Sequence, residues 1–215
     1  MGMMLALLCL AGFAPATVNC FMHAGIMCRR PGGSTAQALR MTTSAAPVAA
    51  TGGMIIKYHE LKLETDPGIS IHDITERVAG LVRESGVAEG FVNVVSRHTT
   101  TAVTMNEAEG RLMDDLRQFL LGVAPPGKPY LHNDLHLRSA PAGWPGGDEA
   151  WRRQEPLNAH SHLLSMMLGN SETVPVTGGA LARGIWQSVL LVDLDGPRSR
   201  RVGVQVVGAP LDDGP

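Results

Sequence analysis

From Met54 onward the chain alternates between stretches with a two-residue hydrophobic period and stretches with a helical one. The segment Met54-Ile55-Ile56-Lys57-Tyr58-His59-Glu60-Leu61-Lys62-Leu63 ends in strict alternation. Alternation sends successive side chains to opposite faces, which predicts a strand. Pro67 and Gly68 then turn the chain. Ile71, Ile74, Val78, Leu81 and Val82 recur at helical spacing, with Asp73 and Glu76 in the first turn and Gly86 just past the end. Carboxylates at the positive end of the helix dipole and a glycine stop predict an amphipathic helix there. Phe91 to Ser96 and Thr99 to Met105 are rich in Val and Thr and predict one strand or two around Arg97-His98. A second helix follows, with Leu112, Leu116, Phe119 and Leu120 on one face and Gly122 and Pro125 as its stop.

Residues 122–157 are dense in Pro and Gly and long for a loop inside a compact domain, which points to a functional segment or an insertion. Asn158 is placed to cap a short helix running through Leu168, with Gly169-Asn170 as its stop. Thr173 to Val176, Gly184 to Val192 and Arg201 to Val207 predict three strands joined at Gly178-Gly179 and Gly196-Pro197. Two main helices early, a short one late and strands between them predict an α+β fold with a mostly antiparallel sheet. Neither a repeat nor a phosphate-binding P-loop occurs in the sequence.

Charge divides the chain at the same place. Residues 1–53 carry Arg29, Arg30 and Arg40 and no acid, so the remaining 15 basic residues face all 20 acids in the segment from Met54 to Pro215. Cys9, Cys20 and Cys28 also precede Met54. The body therefore has neither a disulfide nor a cysteine nucleophile, and a metal there must use His, Asp or Glu. Its mild acidity argues against nucleic acid as a partner, because sequence-independent binding needs clustered Lys and Arg.

The apolar run Leu5 to Ala14 is far shorter than the roughly 18 residues of a membrane span, so no stable membrane anchor is expected. The stretch from Thr17 to Gly53, basic, rich in Ser, Thr and Ala and free of acids, has transit-peptide composition. The expected organisation is a disordered targeting presequence over 1–53, one domain over 54–210 and a tail over 211–215. A signal-like start before a transit-like stretch resembles the two-part presequences of algae with secondary plastids, with Phe13 or Phe21 near the junction. Plastid is favoured over mitochondrion as the destination. An unprocessed tail in the cytoplasm is the alternative.

Seven histidines lie in the body, at His59, His72, His98, His132, His136, His160 and His162. Zinc sites use converging neutral imidazoles, yet none of these forms an H-E-x-x-H pair, so any convergence must come from the fold. Surface or hydrogen-bonded histidine is the competing reading of each.

The surroundings of three of them match a known pattern. His98-Thr99-Thr100-Thr101-Ala102-Val103-Thr104-Met105-Asn106-Glu107, Tyr130-Leu131-His132-Asn133, and His162-Leu163-Leu164-Ser165 with Leu168-Gly169-Asn170-Ser171 occur in order. Val174-Pro175-Val176, Gly184-Ile185-Trp186-Gln187 and Asp195-Gly196-Pro197-Arg198 follow. These blocks resemble those of the YjbQ family, named for secondary thiamine-phosphate synthase activity. The resemblance runs from Met54 to Gly208. It implies a compact α+β domain, a homotrimer, and a divalent metal, zinc by expectation, held by His98, His132 and His162. His136 is the substitute should His132 not serve. His160 is expected to lie beside the site or at the surface, and His59 and His72 to be exposed.

Glu107 is a candidate to orient a ligand or act as acid or base, against the alternative of a helix-start carboxylate. Gln187 is a candidate hydrogen-bond partner of a bound heteroaromatic ring, and Trp186 either stacks on it or serves as core or interface. Thr99 and Thr100 either bond a phosphate or are ordinary strand threonines, while Arg198, Arg200 and Arg201 either hold an anion or form a solvated turn. The sequence departs from the family at Leu164, where a lysine is usual, and at Ile185, where a threonine is. A long 139–154 segment with Trp144 and Trp151 either covers the site or anchors its own loop.

The implied function is a metal-dependent enzyme that joins a pyrimidine pyrophosphate to a thiazole phosphate. Metal-dependent hydrolysis of a small phosphorylated or acyl metabolite, or trimeric binding of a metal or metabolite without turnover, are the alternatives.

Overall fold

The computed structural model describes residues 53–210, so the expectations placed on the presequence, its cysteines and the 211–215 tail lie outside the described residues. Among these residues the strands form two antiparallel sheets. The first comprises β1 (Ile55–Glu64), β8 (Ser199–Pro210), β3 (Val87–Ser96), β5 (Ser171–Thr177) and the short β6 (Ala180–Leu181), in that order across the sheet. The second comprises β2 (Gly68–Asp73), β7 (Ser188–Gly196) and β4 (Thr101–Asn106), with β7 central. Four helices complete the described fold: α1 (Thr75–Ser85), α2 (Gly110–Val123), α3 (Gly147–Arg152) and α4 (Ala159–Leu168). The α+β, mostly antiparallel expectation holds.

The middle of β7 is a continuous apolar run rather than an alternating one, because both of its faces are covered. Val189 and Leu191 join Ile74, which precedes α1, Val78 and Val82 of α1, and the inner face of the larger sheet in one core. Leu190, Val192 and Leu194 point the other way and pack with Leu120 of α2 and Leu164 of α4. The second sheet is thus a middle layer. It carries α4 on the face away from the larger sheet.

Local departures from the sequence expectation have local causes. The segment after the Gly68 turn is a strand rather than the start of the helix, since Ser70 to Asp73 pair with β7. The helix begins at Thr75, where Asp73 accepts the Thr75 amide at 2.9 Å and its hydroxyl at 2.5 Å. Ile71 and Ile74 satisfy the helical spacing by coincidence. On α2 only Leu120 of the predicted face is buried, and Phe119 remains 63% exposed. Glu109 rather than Glu107 is the helix-start carboxylate, accepting the amides of Arg111 and Leu112. The strand predicted from Gly184 starts at Ser188, after a turn closed by Gln187 Oε1 on the Gly184 amide. The predicted 122–157 loop contains short turns at Leu131–Asn133 and Leu135–Leu137 as well as α3.

Candidate functional site

His98 lies in the turn between β3 and β4, and that turn is tied from inside. Ser96 Oγ contacts Thr101 Oγ1, and the Thr101 hydroxyl donates to the His98 carbonyl at 3.0 Å. The imidazole Nδ1 faces Thr100, 3.0 Å from its hydroxyl and 3.2 Å from its amide nitrogen. The residue as a whole is exposed, but its inner edge is desolvated. That desolvation, with Arg200 nearby, holds the pKa of His98 below the ordinary imidazole range.

His162 sits in the first turn of α4, which Ser161 and Ser165 fasten to the middle sheet through the carbonyls of Leu194 and Thr101 at 2.5 and 2.7 Å. His132 stands in the turn at Leu131–Asn133, and its ring meets that of His162 edge to face with centroids 4.8 Å apart. His132 Nε2 is buried and has no hydrogen-bond partner. Desolvation lowers the pKa of His132, and the charges of Arg138 and His162 lower it further.

The segment from Arg138 to Glu155 holds His132 in place. Arg138 Nη1 donates to the His132 carbonyl at 2.9 Å, Nη2 pairs with Glu155 at 3.2 Å, and its guanidinium stacks over Trp151 at 4.9 Å. Trp151 is buried, so its part in the 139–154 segment is that of an anchor. Arg152 adds bonds of 2.8 Å to the carbonyls of Leu135 and Arg138.

His98, Thr99 and His162 form a ridge between two open cavities. The larger, about 490 Å³, continues over Ser96, Arg97, Met166 and Asn170. The other, about 290 Å³, continues over Glu155, Asn158, Asp195 and Arg198. One side thus offers a cation and an amide, and the other two carboxylates with a cation.

The remaining candidates divide. Thr99 lines both cavities, whereas Thr100 is fully buried beneath them. Arg200 is buried as well, in a bidentate pair with Asp193, while Arg201 pairs with Glu60 and Arg198 with Asp195 at the surface. The three arginines are therefore not a single basic cluster. Glu107 lines a separate cavity of about 290 Å³ with Ile185 and the 70% exposed Trp186, and Gln187 closes the adjoining turn. Neither Glu107 nor Gln187 lines the two cavities at His98. His136 is exposed in the next turn. His59 and His72 are half-buried rather than exposed, His72 Nε2 lying 2.9 Å from Ser70 Oγ. His160 adjoins the site, with a buried Nδ1 lacking a partner and a pKa lowered by desolvation. Asn158 precedes α4 without a capping bond from its side chain, which instead donates to Asp195 Oδ2 at 2.8 Å. Sequence reasoning missed Asp193, Arg138 and Glu155, because ordinary charged residues in a strand or loop carry no local sign of what they will pair with.

Among the described residues no three His, Asp or Glu side chains close on one point. The donor set still suits a divalent cation. His98 and His132 both favour the neutral form, the buried Nε2 of His132 has no other partner, and the His162 ring lies against it.

These features define an α+β protein with an imidazole ridge set between two polar cavities. The chain belongs to the YjbQ family: residues 59–209 match the family described as UPF0047 protein YjbQ-like. It is 38% identical over 157 residues to a UPF0047 protein of Methanothermobacter thermautotrophicus, covering 73% of this chain and 96% of that one. Among solved structures it is similar to a YbjQ-like protein of unknown function from Sulfolobus solfataricus, with TM-score 0.61, 29% identity and coverage of 73% of this chain and 99% of the other. A hypothetical protein from Aeropyrum pernix gives TM-score 0.60 and 33% identity over 71% of this chain and 98% of its own. The lysine usual at position 164 is here a leucine 1% exposed, packed in the second core, and the threonine position of the tryptophan block is an isoleucine 84% exposed.

Proposed function

We propose that this protein is a metal-dependent enzyme acting on small phosphorylated metabolites at the His98–His162 ridge. The observation that carries the reading is that His132 and His162 meet edge to face while His98 and His162 line the same two cavities, with His98 and His132 biased to the neutral form. His98, His132 and His162 would hold a divalent cation, zinc by its preference for nitrogen donors. Such an ion supplies Lewis-acid stabilisation of phosphate charge. The chain's own groups would do the rest. Arg97, which pairs with Glu60 at 2.6 Å but is 51% exposed at its side chain, and Asn170 can receive a phosphate in the larger cavity, with Thr99 between the two cavities. Glu155 and Asp195 can accept hydrogen bonds from a second reactant in the smaller one.

Two cavities meeting at one ridge suit a reaction that joins two small molecules. Condensation of a pyrimidine pyrophosphate with a thiazole phosphate, releasing pyrophosphate, is the reaction proposed from the family resemblance. Assembly as a homotrimer belongs to the same proposal and is supported by the exposed apolar side chains Leu163, Met166 and Met167 on α4. Delivery to a plastid is proposed from the basic, acid-free leader alone.

The test is metal analysis of the purified full chain beside a variant carrying His98→Ala, His132→Ala and His162→Ala, followed by assay of thiamine phosphate formation with and without chelator. About one zinc per chain, absent from a folded triple variant, together with chelator-sensitive turnover is the expected result. Equal metal in both proteins would overturn it.

A further inference from the structure

A buried ion pair stands directly behind the ridge. Asp193 is 0% exposed and Arg200 2%, joined by Nε to Oδ2 at 2.7 Å and Nη2 to Oδ1 at 2.8 Å. The carboxylate is filled further by the Thr65 hydroxyl at 2.5 Å and the Asp195 amide at 3.0 Å. Burying such a pair is seldom the cheapest route to stability, since apolar residues of similar size often serve as well or better. What this pair does reach is Thr100: Arg200 Nη2 donates to Thr100 Oγ1 at 3.2 Å.

Hydrogen-bond polarity then passes outward in one direction. A guanidinium can only donate, so Thr100 Oγ1 accepts from Arg200 and keeps its own hydrogen to give. His98 Nδ1, at 3.0 Å, is its remaining partner. The Thr100 amide, which also can only donate, points to the same Nδ1 at 3.2 Å. Two donors converge on one ring nitrogen, so Nδ1 is the acceptor and the neutral ring carries its hydrogen on Nε2.

The geometry points to Thr100 as the positioning residue of the site: held by the Asp193–Arg200 pair, it sets the ring plane of His98 and its tautomer, so that the ion-free site presents His98 Nε2–H as a donor for an anionic oxygen. A hydroxyl is needed because it can also reverse. Were Nε2 to hold a cation, its proton would go to solvent, Nδ1 would take one up, Thr100 Oγ1 would accept from it, and the Thr100 amide would give up its bond to that nitrogen. The ring stays neutral. The inference rests on reading His98 as a site residue and requires neither turnover nor bound metal.

The test is long-range proton–nitrogen NMR of the full chain labelled with ¹⁵N-histidine, chelator-treated and at pH 8, with the His98 signals assigned by their loss in His98→Gln. The wild type and Thr100→Ser should both show His98 as the Nε2–H form. Thr100→Val should move the two ring-nitrogen shifts towards each other, as expected of a tautomer mixture, while its thermal unfolding remains cooperative. A wild-type ring protonated on Nδ1, or a Thr100→Val spectrum identical to wild type, overturns the assignment. Should Thr100→Val not fold, the wild-type tautomer and its retention in Thr100→Ser decide the question. Failure of the protein to bind zinc would count against the metal reading and leave this result standing.

Discussion

His132 and His162 meet edge to face, with ring planes at 68° and centroids 4.8 Å apart, one from the turn at Leu131–Asn133 and the other from the first turn of α4. The contact leaves His132 Nε2 buried without a partner, a desolvation cost that a bound cation would relieve. If that is its role, zinc added to the ion-free protein should raise the melting temperature, and His132→Ala should abolish most of the rise. Calorimetry with and without zinc checks this. A half-buried His132 serving packing alone would give a variant that is less stable yet still stabilised by zinc.

The lowered pKa values of His98 and His132 make the fold sensitive to acid in a definite direction. The folded state favours the neutral rings while the unfolded chain protonates them near the ordinary imidazole value of about 6.5. Stability linked to them is therefore complete above that pH and is lost as pH falls below it, until the folded pKa is reached. Denaturant titrations between pH 5 and 8 should show the wild type weakening towards acid, and the double variant His98→Gln, His132→Gln should show a flatter profile.

Breaking the Asp193–Arg200 pair from one side should be severe. Arg200→Met leaves a carboxylate with no exposure and no cationic partner, and a loss of about 3–5 kcal/mol is expected from comparable buried pairs. Replacing both partners, as Asp193→Leu with Arg200→Met, should cost less than the single change. Equilibrium unfolding of the three proteins tests the order.

Zinc affinity should report the hydroxyl behind His98. Thr100→Val removes the group that can accept from Nδ1, and loss of such a partner typically weakens metal binding about 10–100-fold. Thr100→Ser, which retains a hydroxyl, should stay near wild type in competition with a chromogenic chelator.

Position 164 gives a test of departure from the family pattern. Leu164 is 1% exposed among Leu190, Leu194 and Ala102, so Leu164→Lys would bury an amine with no partner there. A large fall in melting temperature is expected, whereas Leu164→Met should cost under about 1.5 kcal/mol.

Much of the architecture was legible because periodicity is a local property. The alternation ending β1, the helical spacing of Val78 and Val82, and the glycine stop at Gly86 each reflect one face turned to the core. Where two periods agree over few residues the reading failed, as at Ile71 and Ile74, because only pairing of Ile71 with Val192 decides for strand. The exposed face of α2 was invisible for a similar reason: an apolar stripe states that a partner is possible, and Phe119 has none within the described residues.

By itself the sequence determined the family, the absence of cysteine chemistry from the body, and His98, His132 and His162 as the side chains to watch. Only the tertiary structure decided that His132 lies against His162, that Glu107 and Gln187 line neither cavity at His98, and that Arg200 turns inward to Asp193. Ligand chemistry is written in residue type, which a sequence prints directly. Distance, desolvation and hydrogen-bond polarity depend on which remote segments the core brings together, and no single segment contains that information.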